Sequence, residues 1–345
     1  MKYSVIVPVF NRPDEVEELL GSLTRQSFTD FEVIVVEDGS EVTCRDVCDR
    51  YKDRLRLSYY EKPNSGPGQT RNYGAERAQG EYLIILDSDV VLPDGYLDAV
   101  EKELSAAPCD AFGGADAAHP SFTPVQKAIS YSMTSFFTTG GIRGGKKKLD
   151  RFYPRSYNMG IRRDVYLRLG GFSPMRFGED IDFSYRIIEA GCTSRLFPDA
   201  WVWHKRRTDL RKFFRQVYNS GIARINLEKR HPGTMKPVHL LPMVFTVGVF
   251  LLTLLSAAGS MLMYYGDQHR WALLSVVPRV PIYLYSLLIF IDSSVRNRSL
   301  KIGLISVAAA FVQLMGYGCG FIEAWWKRCV LGKDEFQAFE KTFYK

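Results

Sequence analysis

The sequence predicts an α/β domain, a mostly parallel sheet with helices on both faces, followed by membrane-spanning helices toward the C-terminal end. Three observations carry that expectation. Short apolar runs at Tyr3–Val9, 31–36 and Tyr82–Leu86 alternate with amphipathic segments, the pattern of strands joined by helical crossovers. Each run ends in a polar cluster: Asn11, then Glu37-Asp38-Gly39-Ser40, then Asp87-Ser88-Asp89. In an open α/β sheet, ligands bind beyond the carboxyl ends of the strands, so these clusters point to one nucleotide-sized site. Finally, the composition changes near Pro237, after which residues 240–263, 271–291 and 302–322 form three apolar stretches. At about 1.5 Å rise per residue, each can cross a hydrocarbon core of about 30 Å.

The elements follow in order. Arg12-Pro13-Asp14 starts a helix with proline in its first turn and Val16, Leu19, Leu20 and Leu23 on one face. Residues 55–60 read as a third short strand, Asn64-Ser65-Gly66-Pro67-Gly68 as a turn, and 69–78 as a helix with Arg71 and Asn72 at its beginning. Gly80-Glu81 ends that helix, and the next strand runs into the Asp-Ser-Asp turn. Further on, Glu179-Asp180 opens a helix with Phe183, Ile187 and Ile188 inward, and 200–203 reads as a strand leading to His204. Residues 115–153, with Gly140-Gly141, Gly144-Gly145 and Lys146-Lys147-Lys148 after a helix-like stretch, depart from this compact pattern. They read equally as a mobile loop over the active site and as a surface excursion.

At 345 residues the chain can bury a full core in one ordinary domain and keep about a third of its length for a second region. The net charge of +7 is unevenly placed. Between His204 and Lys236, a dense series of lysines and arginines faces only Asp209 and Glu228. Leu210, Phe213, Phe214, Val217, Tyr218, Ile222 and Ile225 recur there at helical spacing, giving a basic amphipathic helix. Its expected place is the interface of an anionic leaflet, with packing on the soluble domain as the alternative. Nucleic acid is excluded as a partner, because the basic cluster abuts an apolar span and no nucleic-acid module accompanies it. The six cysteines lack zinc-type spacing, and Cys44 and Cys48, one helical turn apart, read as packing residues in a reduced compartment. Met1-Lys2 leads directly into a strand, so no signal peptide is expected and the soluble domain should stay on the cytoplasmic side.

The positive-inside rule places 204–236 and 292–301 in the cytoplasm and 264–270 outside. A third full crossing would then carry Lys327, Arg328, Lys333, Lys341 and Lys345 outside, against the same rule. The second stretch also contains Pro278-Arg279-Val280-Pro281, and an arginine at bilayer depth is costly unless paired. A broken or re-entrant second segment resolves both conflicts. The expected division is therefore a soluble domain at 1–207, a basic interfacial segment at 208–238, a membrane domain of two to three spans at 239–326 and a tail at 327–345.

Asp87-Ser88-Asp89 places two carboxylates one residue apart at a strand end, an arrangement that brings a hard divalent cation to a diphosphate. Taken together, Val5-Ile6-Val7-Pro8-Val9-Phe10-Asn11, Glu37-Asp38-Gly39-Ser40, Gly68-Gln69-Thr70-Arg71-Asn72-Tyr73-Gly74 and Asp87-Ser88-Asp89 resemble the nucleotide-sugar half of family 2 inverting glycosyltransferases, which have the A-type fold. Asn158-Met159-Gly160, Leu169-Gly170-Gly171-Phe172, Gly178-Glu179-Asp180 and Trp203-His204 follow in the order expected of the acceptor half, so the resemblance covers roughly residues 3–207.

That resemblance implies a nucleotide-sugar donor, with a UDP-sugar favoured, and Mn²⁺ or Mg²⁺ as cofactor. It implies that Pro8, Val9, Asn11, Asp38, Arg71 and Asp87 hold the nucleotide, and that Asp89, with His204, binds the metal. The base that deprotonates the acceptor would be Asp180, with Glu179 as substitute and Asp182 as a weaker third. Each has a structural alternative: Asp38 as a turn cap, His204 as an ordinary surface or core residue, and the acids at 179–182 as helix caps. The expected activity is transfer of one sugar to a lipid-linked or membrane-presented glycan acceptor in polysaccharide or glycoconjugate assembly, at the inner (plasma) membrane and among membrane lipids. Processive synthesis is the alternative, weakened because Gln216 is followed by Val217-Tyr218-Asn219-Ser220 rather than the Gln-x-x-Arg-Trp of related synthases. A non-catalytic nucleotide-binding membrane scaffold is the non-enzyme alternative. A pyrophosphorylase or epimerase is disfavoured by the lack of a glycine-rich dinucleotide or Walker-type motif.

Overall fold

The computed structural model describes residues 1–119, 121–140, 152–266 and 268–339. The chain divides into two compact units, residues 1–120 with 146–205, and residues 121–145 with 206–345. In chain order the first unit begins with β1 (Tyr3–Val9), α1 (Pro13–Leu23), β2 (Phe31–Asp38), α2 (Arg45–Tyr51), β3 (Leu57–Lys62), α3 (Pro67–Arg77), β4 (Tyr82–Leu86), β5 (Val90–Val91), α4 (Tyr96–Ala106), β6 (Ala111–Gly113) and β7 (Asp116–Ala117). Next come α5 (Pro124–Thr134) and α6 (Phe136–Thr139), which belong to the second unit. The first unit is completed by β8 (Asn158–Arg162), α7 (Arg163–Arg168), α8 (Glu179–Glu189), β9 (Ser194–Leu196) and β10 (Val202–His204).

A seven-stranded sheet runs in the order β3-β2-β1-β4-β8-β6-β9, parallel throughout except for β8, which is antiparallel to both β4 and β6. Its strands are apolar on both sides because both faces are covered. Tyr3, Val5, Val7, Val33, Val35, Ile84 and Leu86 pack on one side with α1, α2 and α4. Ile6, Ile34, Val36, Leu83 and Ile85 alternate to the other side, against α3, α7 and α8. A close approach holds α3 on that second face: a Cβ on Gly74 would lie 2.7 Å from Ile6 Cγ2. A separate three-stranded sheet, β5-β10-β7, lies beyond the end of β4. Cys44 and Cys48 are fully buried core residues with sulfurs 3.9 Å apart, as the packing reading expects, and all six cysteines are free thiols.

The second unit is helical. It comprises α5, α6, α9 (Leu210–Arg230), α10 (Leu241–Tyr265), α11 (Gln268–Val276), α12 (Val280–Asn297) and α13 (Leu300–Trp325), the last continuing as a π-turn over Trp326–Val330. Three segments, Pro237–Tyr265, Arg270–Asn297 and Leu300–Val330, are long and apolar enough to cross a membrane. The middle one is interrupted at Val277–Arg279 by a 3₁₀ turn between α11 and α12, where Pro278 removes a backbone donor. This is the break anticipated from the sequence.

Two expectations change. The basic amphipathic helix exists as α9, but its apolar face is covered by protein: Gly221 abuts Tyr317 O, and Gly316 and Gly320 of α13 receive Val217 and the Tyr218 backbone. Small residues allow the two helix backbones to approach, so protein packing takes the face assigned to lipid. The helix-like stretch before the glycines is α5 and α6, and what changes is the unit that holds it. A capping box between Thr123 and Gln126 starts α5, and Ala128 and Ile129 are buried with Phe213, Val217, Ile302 and Ala309 within the second unit. That stretch therefore falls outside the unit to which the boundary at 207 assigned it. The glycine and lysine run at 141–148 and the lysines at 341 and 345 lie outside the described residues.

Candidate active site

β4 ends at Leu86 and β5 begins at Val90, so Asp87, Ser88 and Asp89 are the whole connection between them. β5 pairs antiparallel with β10, placing Val90 opposite His204, and Lys205 N donates to Asp89 O at 3.0 Å. That register brings His204 Nε2 to 3.2 Å from Asp89 Oδ1. Donor atoms of Asp87, Asp89 and His204 all lie within 4.8 Å of one another. The imidazole is held from its other side: it stacks on Tyr157 with centroids 4.9 Å apart, and Nδ1 faces Asp116 Oδ2 at 3.8 Å. A carboxylate at one ring nitrogen orients the other toward a metal.

Arg71, buried near the start of α3, joins this turn to a second pair of acids. Its Nη2 donates to Asp87 Oδ1 at 2.7 Å and its Nη1 to Glu179 Oε1 at 2.9 Å, while the guanidinium lies 5.2 Å above the centre of the Phe172 ring. Gly178, with φ of +83°, turns the chain so that Glu179 and Asp180 open α8. Their charge is favoured there by the helix N-terminus. Asp180 Oδ2 accepts from Arg155 Nε at 2.6 Å and Oδ1 from its neighbour Ile181 N at 2.9 Å. Burial pushes the Asp180 carboxyl up, but Arg155, Arg71 and the Ile181 amide outweigh it and hold it below its ordinary value. Glu179 moves the other way: burial first, then the adjacent Asp180 charge, push it up to about 7 against the pull of Arg71. Asp182 is tied to Arg186 within the helix at 3.0 Å and serves α8 itself.

The nucleotide-binding candidates separate into two groups. Arg71 and Asp87 sit in the cluster just described. Asp38, at the end of β2, accepts from Lys62 Nζ at 2.6 Å, Ser65 N at 2.8 Å and Gly66 N at 2.9 Å, so its carboxylate organises the turn before α3. Asn11, at φ +54°, accepts from Glu41 N at 2.8 Å and Val42 N at 3.0 Å, tying the end of β1 to the loop after β2. Pro8 and Val9 close β1, with Val9 inside the core and Pro8 partly exposed.

Arg12, Glu15, Asp116, Arg155 and Tyr157 belong to the site and were not singled out in the sequence. Arg12 Nη1 bridges Glu15 Oε2 at 2.6 Å and Asp89 Oδ2 at 3.0 Å. The Arg12-Pro13-Asp14-Glu15 run reads as a helix start, and nothing in it signals a partner at residue 89. Among the described residues, three guanidinium groups, on Arg12, Arg71 and Arg155, thus face five carboxylates, on Glu15, Asp87, Asp89, Glu179 and Asp180, while a sixth, on Asp116, faces His204. The excess negative charge and the mixed carboxylate and imidazole donors fit a divalent cation such as Mn²⁺ or Mg²⁺ at Asp87, Asp89 and His204.

Residues 4–170 match the model of the family described as glycosyl transferase family 2. The chain carries a family 2 glycosyltransferase domain. A 93-residue segment is 42% identical to the poly(ribitol-phosphate) beta-N-acetylglucosaminyltransferase TarS of Staphylococcus aureus, covering 26% of this chain and 16% of that protein. The fold is also that of two solved structures. The mannosyltransferase PcManGT from Pyrobaculum calidifontis, in complex with GDP-Man and Mn²⁺, has a TM-score of 0.58 at 18% identity over 90% of this chain and 86% of the other. TarS in complex with UDP-GlcNAc has a TM-score of 0.50 at 17% identity over 96% and 93%. Asp87 and Asp89 of the cluster lie within the matched residues, at the end of β4, whereas Glu179 and Asp180, at the start of α8, and His204, at the end of β10, follow them in the same unit.

Proposed function

We propose that this family 2 domain is an inverting glycosyltransferase that moves one sugar from a UDP-sugar to a lipid-linked or membrane-presented acceptor. The same reading places the protein in the inner membrane through its apolar helices, with the catalytic unit cytoplasmic. The observation that carries it is the pairing of two clusters through one side chain: Arg71 links Asp87, beside Asp89 and His204, to Glu179, beside Asp180. A metal-diphosphate site and a base for an incoming hydroxyl are what displacement from a nucleotide-sugar requires. The UDP preference rests on the resemblance and on the UDP-GlcNAc bound to TarS, and the membrane placement on the three apolar segments.

The roles divide as follows. Asp87, Asp89 and His204 would hold the cation, which when bound supplies positive charge to the diphosphate oxygens. Asp180 takes the proton of the acceptor hydroxyl as that oxygen attacks the anomeric carbon from the face opposite the nucleotide. The bond from the anomeric carbon to the diphosphate oxygen breaks, and the nucleoside diphosphate departs with the bonding pair. Arg155 keeps Asp180 ionised and aimed, and Arg71 fixes Asp87 and Glu179 in one frame. Asp38 and Asn11 shape the floor on which the nucleotide base would lie.

The test uses detergent-solubilised protein, extracted membrane lipids and labelled UDP-, GDP- and dTDP-sugars, with Mn²⁺ or with chelator. Metal-dependent label in the organic phase, lost in Asp89→Ala, is the expected result. Nucleotide binding without label from any donor would overturn the enzyme reading.

A further inference from the structure

Arg279 lies at the break in the second apolar segment, where α11 gives way to α12. Its side chain reaches across to α10: Nε donates to Ser256 Oγ at 2.6 Å and Nη2 to Ser260 Oγ at 3.0 Å. Those serines are themselves fixed, since Ser256 Oγ donates to Ser275 O at 2.7 Å and Ser260 Oγ lies 2.7 Å from Ser275 Oγ. Gly259, between them, lets α11 approach, because a Cβ there would lie 2.5 Å from the Leu274 carbonyl carbon. The guanidinium is therefore a built feature, positioned by two hydroxyls of α10 that Ser275 of α11 holds in place.

Charge is what the site lacks. Among the described residues the Arg279 side chain makes these two hydrogen bonds and no ion pair, and the residue is exposed. Arginine has five donors, so three remain pointed away from the serines. Ser260 precedes the end of α10 at Tyr265 by five residues, which puts the guanidinium about 8 Å along the helix from that end. Tyr264 and Tyr265, 81% and 77% exposed, mark the end as an interfacial belt. An arginine at that depth with no acidic partner among the described residues is costly unless an anion outside the protein meets it.

We propose that Arg279, oriented by Ser256 and Ser260, binds the phosphate of a membrane lipid in the leaflet at the Tyr265 end of α10. The inference rests on the membrane placement proposed above and is independent of the sugar-transfer chemistry. The chemistry recognised is a phosphate monoanion or ester, for which a fork of free N–H donors is suited. A lipid is its source because Arg279 is exposed and its neighbours along the segment, Val276, Val277, Val280, Tyr283 and Leu284, are exposed apolar side chains.

The test begins with vesicle flotation of the full chain, and then measures binding of dioleoylphosphatidylglycerol to delipidated protein by native mass spectrometry. Wild type, Arg279→Gln, Arg279→Lys and the Ser256→Ala/Ser260→Ala pair are compared, with inorganic phosphate as competitor. The expected result is phosphatidylglycerol affinity at least about tenfold weaker in Arg279→Gln, partly restored in Arg279→Lys, intermediate in the serine pair and insensitive to inorganic phosphate. Displacement by inorganic phosphate would overturn the lipid source. Equal affinity in wild type and in an Arg279→Gln variant with an unchanged far-ultraviolet spectrum would overturn the site. Failure of the wild type to float with any vesicle would instead overturn the membrane placement, so the two failures are told apart.

Discussion

Arg155 Nε donates to Asp180 Oδ2 at 2.6 Å, and this contact sets the two acids at the start of α8 apart in strength. Burial favours the neutral form of both. Arg155 reverses that for Asp180, while Glu179, beside the Asp180 charge, is pushed up to about 7. With Asp180 as base, kcat/KM stays level as pH falls through 7 and declines only in the acid range. An acid limb near 7 in the pH profile would assign the base to Glu179 instead. Arg155→Gln should move the limb upward, since the ion pair that favours the carboxylate is gone.

Asp180→Asn should lower kcat by about 10² to 10⁴, the usual contribution of a general base, and leave donor affinity unchanged. Single-turnover transfer alongside equilibrium binding of the nucleotide-sugar measures both. Transfer surviving at more than about a tenth of the wild-type rate would end the assignment.

For the metal, isothermal titration with Mn²⁺ should show Asp89→Ala and His204→Ala each losing most of the affinity. Asp116→Asn, which alters the side chain facing His204 at Nδ1, the nitrogen away from Asp89, should lose about tenfold, as outer partners of a metal-bound histidine do. Wild-type affinity in His204→Ala would remove His204 from the ligand set.

Arg71→Ala leaves Glu179 and Asp87 without their shared partner, and removing one member of a buried ion pair costs about 3–5 kcal/mol. The loss should depend on pH. Without Arg71 the Glu179 carboxyl rises further above its ordinary 4.5, and a group raised in the folded state contributes stability that is lost as pH rises through the folded value. Thermal melts in detergent should therefore show a deficit that is level at acid pH and deepens as pH rises through 7 and beyond, where the wild type ionises Glu179 and the variant does not. A deficit that shrinks with rising pH would contradict the burial of Glu179.

Gly74→Ala introduces a Cβ 2.7 Å from Ile6 Cγ2 at the contact between α3 and β1. Overpacking of this kind costs about 1–3 kcal/mol, readable as a lowered melting temperature. An unchanged melting temperature would mean that α3 is not held as closely to the sheet as described.

Local pattern determined a good deal here. The apolar runs at β1, β2 and β4, the proline that opens α1 and the long apolar stretches after Pro237 each declare themselves within a few residues, because period and punctuation are local properties of a chain. The order of Asp38, Asp87-Ser88-Asp89, Glu179-Asp180 and His204 likewise carried the family resemblance, and Pro278 announced the broken segment. Tertiary structure alone decided what those residues touch. It gave Arg12 to Asp89 and Arg155 to Asp180, committed the Asp38 and Asn11 side chains to neighbouring backbone amides, and covered the apolar face of α9 with α13. It also placed the helix-like stretch at 121–140 in the second unit. The reason is physical: charge pairing and packing act between groups brought together by the whole fold, and no spacing along the chain encodes which guanidinium will meet which carboxylate.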